Sequence, residues 1–173
     1  MKNIVVLNGS TRRNGKLDKL ISSFKLGAEK KGHKVKEIFT SELSFSGELF
    51  SNDQRDISDL YHIDAIFNES NAYTDYLKVI HQSDVIIFAT PIYWWTISGS
   101  LKLAVDYLQP LQQALGYRNF IKESALLVVA GGNDYSQPLN WYHGFKNYLG
   151  WYNHGEVLGA DKLEEAAKLG RTI

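Results

Sequence analysis

Apolar residues in this chain fall alternately into short unbroken runs and into spaced series. Ile4-Val5-Val6-Leu7, Val85-Ile86-Ile87-Phe88-Ala89 and Ala125-Leu126-Leu127-Val128-Val129-Ala130 are continuous. Runs of this length, closed by turn residues, predict strands buried on both faces. Val35 to Phe39 alternates with polar residues, which predicts a more exposed strand, and Glu156 to Leu158 reads as a short edge strand. Between these, Leu17, Leu20, Ile21, Phe24 and Ala28 recur at helical spacing, with Asn14 as the cap and Gly32 as the stop. Further helices are predicted over Thr74 to Gln82, over Leu101 to Leu108 behind a Ser98 cap, over Leu139 to Leu149, and over Asp161 to Leu169 with Asp161 near the cap.

Strands separated by helices imply a parallel sheet, because each crossover must be right-handed and long enough to return. For five strands the expected α/β arrangement is a flavodoxin-like three-layer sandwich of order 2-1-3-4-5. The 173 residues suit a single domain with an insert at about 40–73. The insert carries Leu43, Phe45, Leu49, Phe50, Ile57, Leu60, Ile63, Ile66 and Phe67, so parts of it should pack as short helices. Ligands in such sheets bind beyond the carboxyl ends of strands where the order reverses. That selects the loops Asn8 to Lys16, Thr90 to Ser98 and Gly131 to Gln137.

Composition narrows the chemistry those loops can perform. Nineteen Lys and Arg cancel nineteen Asp and Glu, so the chain lacks both the positive field of a nucleic-acid binder and the negative field of an acidic electron carrier. The complete lack of cysteine excludes disulfides, thiolate metal sites and a thiol nucleophile. Any redox chemistry must then come from a bound cofactor. The first apolar run is too short for a signal-peptide core or a membrane span, which makes a cytoplasmic protein the expectation.

The first loop, Asn8-Gly9-Ser10-Thr11-Arg12-Arg13-Asn14-Gly15-Lys16, lies between a buried strand and a helix start. Unpaired backbone N–H groups and the helix dipole favour an anion there. Ser10 and Thr11 add hydroxyls, and Arg12 or Lys16 adds charge, a donor set suited to a monophosphate. Its glycine spacing matches neither the P-loop nor the dinucleotide fingerprint. The competing account is an ordinary turn with solvated basic residues. In the second loop, Tyr93-Trp94-Trp95 puts three aromatics at a tip, and a flat aromatic ligand is their natural partner.

These motifs together resemble the flavodoxin-like NAD(P)H-dependent FMN reductases and quinone reductases, including the iron–sulfur flavoprotein branch. The resemblance rests on Gly9-Ser10-Thr11-Arg12-Arg13-Asn14-Gly15, Thr90-Pro91-Ile92-Tyr93-Trp94, Ser100-Leu101-Lys102-Leu103-Ala104-Val105-Asp106 and Gly131-Gly132, each after its own strand or loop. It implies that Ser10, Arg12, Lys16 and the amide of Leu17 bind the FMN phosphate. It further implies that Pro91, Ile92, Tyr93 and Trp94 contact the flavin ring, and that Gly131, Gly132 and Tyr135 belong to the loop closing its other edge. NAD(P)H would be the co-substrate, with a quinone, flavin, nitro or azo compound as acceptor, and family members commonly form homodimers. Two departures stand out. Leu17 replaces a frequent Ser or Thr, and Ser44 and Ser46 stand where the iron–sulfur branch has cysteines, so no cluster can form.

Tyr135 to Tyr152 is the densest aromatic segment, readable as a substrate wall, a dimer contact or, in half of its residues, core. His143 within it could donate a proton to a quinone oxygen, although such a histidine is more often packed or solvated. His33, His62, His81 and His154 lack metal-ligand spacing, and Asp53, Asp56, Asp59 and Asp64 lack the glycine and terminal glutamate of a calcium loop, so no metal is expected. No nucleic-acid or membrane partner is expected either. The alternative function is a non-enzymatic FMN-binding electron carrier acting with a protein partner.

Overall fold

The computed structural model describes residues 1–44, 63–68, 71–116 and 119–173. The expectations for Phe45, Leu49, Phe50, Ile57 and Leu60, and for Ser46, Asp53, Asp56, Asp59 and His62, fall outside them. In chain order the elements are β1 (Asn3–Asn8), α1 (Lys16–Lys30), β2 (Lys34–Phe39), a 3-10 turn (Thr40–Glu42), α2 (Ile63–Asn68), α3 (Ala72–Gln82), β3 (Val85–Pro91), α4 (Gly99–Asp106), α5 (Gln109–Leu115), β4 (Glu123–Val129), α6 (Ser136–Leu149), β5 (Tyr152–Leu158) and α7 (Leu163–Thr172). Strands β2-β1-β3-β4-β5 form one all-parallel sheet in that order, as the pattern predicts.

Period-2 alternation sends each buried run to both faces. Ile4, Val6, Ile87 and Leu127 meet Leu17, Leu20, Ile21 and Phe24 of α1 and Ala166 and Leu169 of α7. On the opposite face, Val5, Leu7, Ile86, Phe88 and Leu126 meet Tyr76, Leu77 and Ile80 of α3, Leu101 and Ala104 of α4, and Tyr142 of α6. Helices α1 and α7 pack backbone to backbone at glycine. A Cβ added at Gly27 would stand 2.1 Å from the Ala167 carbonyl oxygen, and one at Gly170 would stand 2.3 Å from that of Phe24. Of the insert, Ile66 is buried and Ile63 and Phe67 pack beside it, so α2 is one of the expected short helices.

Several boundaries differ from expectation, each for a local reason. Gly15, not Asn14, occupies the N-cap of α1; Asn14 is held at φ +58° in the preceding turn. At α7 the cap is Lys162, with Asp161 beside it as expected, and the helix runs on past Leu169 to Thr172. Helix α5, which the sequence pattern does not announce, carries Pro110 in its first turn, where the missing N–H has no partner to lose. Strand β5 is seven residues long, not three. Its alternation is disguised by a bulge: Ser124 pairs with Asn153 but Leu126 pairs with Glu156, so His154 and Gly155 together oppose Ala125.

The aromatic segment divides between core and surface. Tyr142 and Trp151 are core residues against Phe88, with the Trp151 indole N–H donating to the Phe120 carbonyl at 2.7 Å. The buried Tyr142 hydroxyl lies 2.9 Å from both Ser124 Oγ and Asn153 Oδ1. Trp141 and Phe145 are half-buried and stacked on one another, whereas Tyr148 and Tyr152 are exposed.

Candidate functional site

The sheet order reverses between β1 and β3, and the loops after β1, β3 and β4 converge beyond their carboxyl ends. The first loop is joined to the second at Gly9, whose N–H donates to the Ala89 carbonyl at 2.8 Å. Within it, the Ser10 N–H donates to Asn8 Oδ1 at 2.9 Å, and the Arg12 N–H donates to Ser10 Oγ at 3.1 Å. The Gly15 N–H donates to Asp18 Oδ2 at 3.0 Å. The first-turn amides of Lys16 and Leu17 have no carbonyl one turn back to reach, so they face the loop as donors. Arg12 and Lys16 are exposed at its rim, while the Leu17 side chain is buried in the core and leaves only its amide for the loop. Arg13 turns away: its guanidinium sits 3.1 Å over the Phe39 ring and pairs with Glu42.

The second loop is braced at both ends. The Ile92 N–H donates to the Val129 carbonyl at 2.9 Å, and the Ser98 N–H donates to Thr90 Oγ1 at 3.0 Å. Ser98 Oγ then caps α4, accepting the Leu101 N–H as predicted. Between the braces, Tyr93 and Thr96 exchange both backbone hydrogen bonds, at 3.0 and 3.2 Å, and close a two-residue turn. Its central residues, Trp94 and Trp95, have φ of +50° and +68°. A two-residue hairpin with positive φ at both positions ordinarily takes Asn-Gly, because a Cβ is strained there. Both indoles stand in solvent, 87% and 66% exposed.

The third loop is open: a Cβ at Gly131 or Gly132 would meet no atom of the described residues within 4 Å. Asp134 Oδ1 accepts the Ser136 N–H at the start of α6, and these Ser136 hydrogen bonds hold the Asp134 carboxyl below its usual range. Tyr135 is half-buried against the core beneath this loop. The structure therefore brings together Ser10, Arg12, Lys16, the Leu17 amide, Pro91, Ile92, Tyr93, Trp94, Gly131, Gly132 and Tyr135 at one end of the sheet. His143 is not among them. It lies along α6 with Nε2 2.8 Å from Glu156 Oε1, opposite the middle of β4.

Two hydroxyl side chains stitch the loops to one another, Thr40, which the sequence did not single out, and Ser100. Thr40 Oγ1 donates to the Asn8 carbonyl at 3.2 Å and lies 3.0 Å from Ser100 Oγ, which in turn reaches the Gly9 carbonyl at 3.4 Å. With Asn8 of β1 they join three separate elements, so only the fold shows them as one group. A separate groove of about 890 Å³ runs between α4–α5 and α6, lined by Leu103, Phe120, Trp141, Phe145, Tyr148 and three glutamines among others, away from the loops.

Comparison with known proteins agrees with this geometry. The chain is 29% identical over 167 residues to YwqN of Bacillus subtilis, a match spanning 90% of this chain and 83% of that protein, whose name describes an NAD(P)H-dependent FMN-containing oxidoreductase. Its fold matches a crystal structure of an azoreductase from Bacillus anthracis over 100% of both chains, with a TM-score of 0.72 and 16% identity. An NAD(P)H:quinone oxidoreductase from Methanothermobacter marburgensis matches with a TM-score of 0.67 and 15% identity, covering 99% of this chain and 96% of that one. The sequence profile of the NADPH-dependent FMN reductases matches residues 2–142, so the chain is a member of that family of FMN-dependent oxidoreductases.

Proposed function

We propose that this chain, as a single cytoplasmic domain, oxidises NAD(P)H and reduces a planar aromatic acceptor of the quinone, flavin, nitro or azo class. FMN, when bound, supplies the two-electron redox chemistry; the chain binds, orients and shields. Ser10, the amides of Lys16 and Leu17, and the charges of Arg12 and Lys16 hold the phosphate. The backbone of Pro91 to Trp94 borders the ring, and the bare Gly131-Gly132 stretch leaves room for its far edge. Backbone N–H groups of the second and third loops that are not spent on the internal braces would favour negative charge on a reduced ring without having to reorganise. His143, engaged with Glu156, has no part in this scheme. Pairing of two copies over the groove beside α6 would cover Leu103 and Tyr148.

The observation that carries the reading is the braced, strained turn that lifts Trp94 and Trp95 into solvent beside the phosphate-type loop. Two non-glycine residues at positive φ are retained against their local preference, and flat π-faces are what such a tip offers a ligand. Purified protein should take up FMN and then oxidise NAD(P)H with a two-ring naphthoquinone and no protein partner. FMN uptake without such turnover would favour the electron-carrier reading, and no uptake would overturn both.

The turn yields its own prediction. The double change Trp94→Asn/Trp95→Gly installs residues suited to positive φ at both positions. By relieving strain it should raise Tm by about 2–4 °C, the equivalent of about 1 kcal/mol. The same variant should raise KM for the naphthoquinone several-fold. Calorimetry and steady-state kinetics check both, and an unchanged KM would show that the indoles do not face the acceptor.

A further inference from the structure

We infer that Asn8 is the positioning residue of the phosphate loop, holding both of its ends through one buried carboxamide. The inference rests on reading this loop as the FMN-phosphate site. Asn8 ends β1 and is 0% exposed. Its Oδ1 accepts the Ser10 N–H at 2.9 Å, which fixes where the loop begins. Its Nδ2 donates to Asp18 Oδ1 at 3.0 Å and to Glu37 Oε1 at 2.9 Å. The second oxygen of Asp18 accepts the Gly15 N–H at 3.0 Å, which fixes where the loop ends and α1 begins. The second oxygen of Glu37, on the neighbouring edge strand, receives Lys25 Nζ at 3.3 Å.

An acidic pair beneath an anion-binding loop is otherwise hard to explain, since each carboxylate works against a phosphate above it. The geometry gives the pair another task. Ionised carboxylates only accept hydrogen bonds, and a backbone N–H only donates, so the three neighbours permit the carboxamide a single orientation. With Oδ1 held toward Ser10 and Nδ2 held by Asp18 and Glu37, the loop's amides are set before any ligand arrives, and preorganisation of this kind raises affinity by reducing the ordering cost of binding. Aspartate at position 8 is nearly the same size but has no N–H to offer. It would place a third carboxylate against Asp18 and Glu37, with Lys25 the one cation bonded to the group among the described residues.

The test compares FMN with riboflavin, which shares the ring but lacks the phosphate, by fluorescence titration of the cofactor-free protein. The native chain should bind FMN far more tightly than riboflavin. In Asn8→Asp at pH 8, FMN affinity should fall at least about tenfold while riboflavin affinity holds, because the unsatisfied cluster disturbs the phosphate loop alone. Should Asn8→Asp fail to fold, Asp18→Asn serves instead: in either orientation its amide nitrogen would face a donor, Asn8 Nδ2 or the Gly15 N–H, and the same selective FMN loss is expected. An unchanged FMN-to-riboflavin ratio in the folded variant, or equal loss of both ligands, would overturn the inference. A native chain that does not prefer FMN to riboflavin would instead overturn the phosphate-site reading beneath it.

Discussion

Gly27→Ala is expected to destabilise the protein by about 3 kcal/mol or more, lowering Tm by roughly 6–12 °C, because a single methyl group there has no space to occupy. The added Cβ would stand 2.1 Å from the carbonyl oxygen and 2.9 Å from the carbonyl carbon of Ala167. Those are backbone atoms of a helix, so relief requires α1 and α7 to separate rather than a side chain to rotate. Separation would loosen Phe24, Ala28, Ala166 and Leu169, which together cover one face of the sheet. Gly170→Ala meets Phe24 and Ala28 backbone at 2.3 and 2.7 Å and should cost a similar amount. Both changes push the same helices apart, so the double variant should cost less than the sum. Gly144 in α6 makes the opposite case, with no atom of the described residues within 4 Å of its missing Cβ. Alanine there should stabilise by about 0.5–1 kcal/mol through helix propensity alone. Urea or thermal unfolding of the variants tests all of these signs, and a neutral Gly27→Ala would contradict the close approach of α1 and α7.

Gly9→Ala should weaken FMN binding by about a hundredfold, equivalent to about 3 kcal/mol, together with a stability loss of about 2 kcal/mol. Its Cβ would lie 2.4 Å from Ser98 Oγ, 3.0 Å from Leu101 Cβ and 3.2 Å from the Ala89 carbonyl oxygen. Ser98 Oγ cannot step aside freely, since it caps α4 by accepting the Leu101 N–H. Moving it gives up a cap worth about 1 kcal/mol, and leaving it in place drives the first loop away from the second. Either outcome disturbs the junction on which the whole site depends. Gly132→Ala, set in open space, is the contrasting variant and should leave stability within about 0.5 kcal/mol. Cofactor titration and calorimetry separate the two effects, and FMN affinity close to that of the native chain in Gly9→Ala would refute the wedge.

The sheet order was legible because its information is local. Continuous apolar runs such as Val85 to Ala89 and spaced series such as Leu17 to Ala28 each declare their element within about ten residues. The loops that converge on the candidate site followed from strand ends and the order of crossovers alone. What stayed hidden depends on contacts between distant positions. Asn8 reads as a turn residue until Asp18 and Glu37, ten and twenty-nine residues away, are seen to share its carboxamide. The pair Trp94-Trp95 advertised an aromatic ligand, but its positive φ values arise from the hydrogen bonds between Tyr93 and Thr96 and contradict local preference. His143 draws attention through its aromatic neighbours, yet it lies one helical turn beyond Leu139 along α6, where Glu156 of β5 engages it. Helix α5 and most of β5 were obscured by one proline and one bulge respectively.

The bulge at His154 and Gly155 has a consequence for how copies of this chain meet one another in a crowded cell. A flat outer strand presents a ladder of free N–H and C=O groups that invites another chain to add on, and this is how sheet proteins begin to aggregate. Here β5 carries one residue too many opposite Ala125, with Gly155 at φ +126°, so the register and twist an incoming strand must follow are broken partway along. At the other margin β2 sets exposed Lys34 and Lys36 where a newcomer would lie. Among the described residues, both borders of the sheet are thus defended against strand addition.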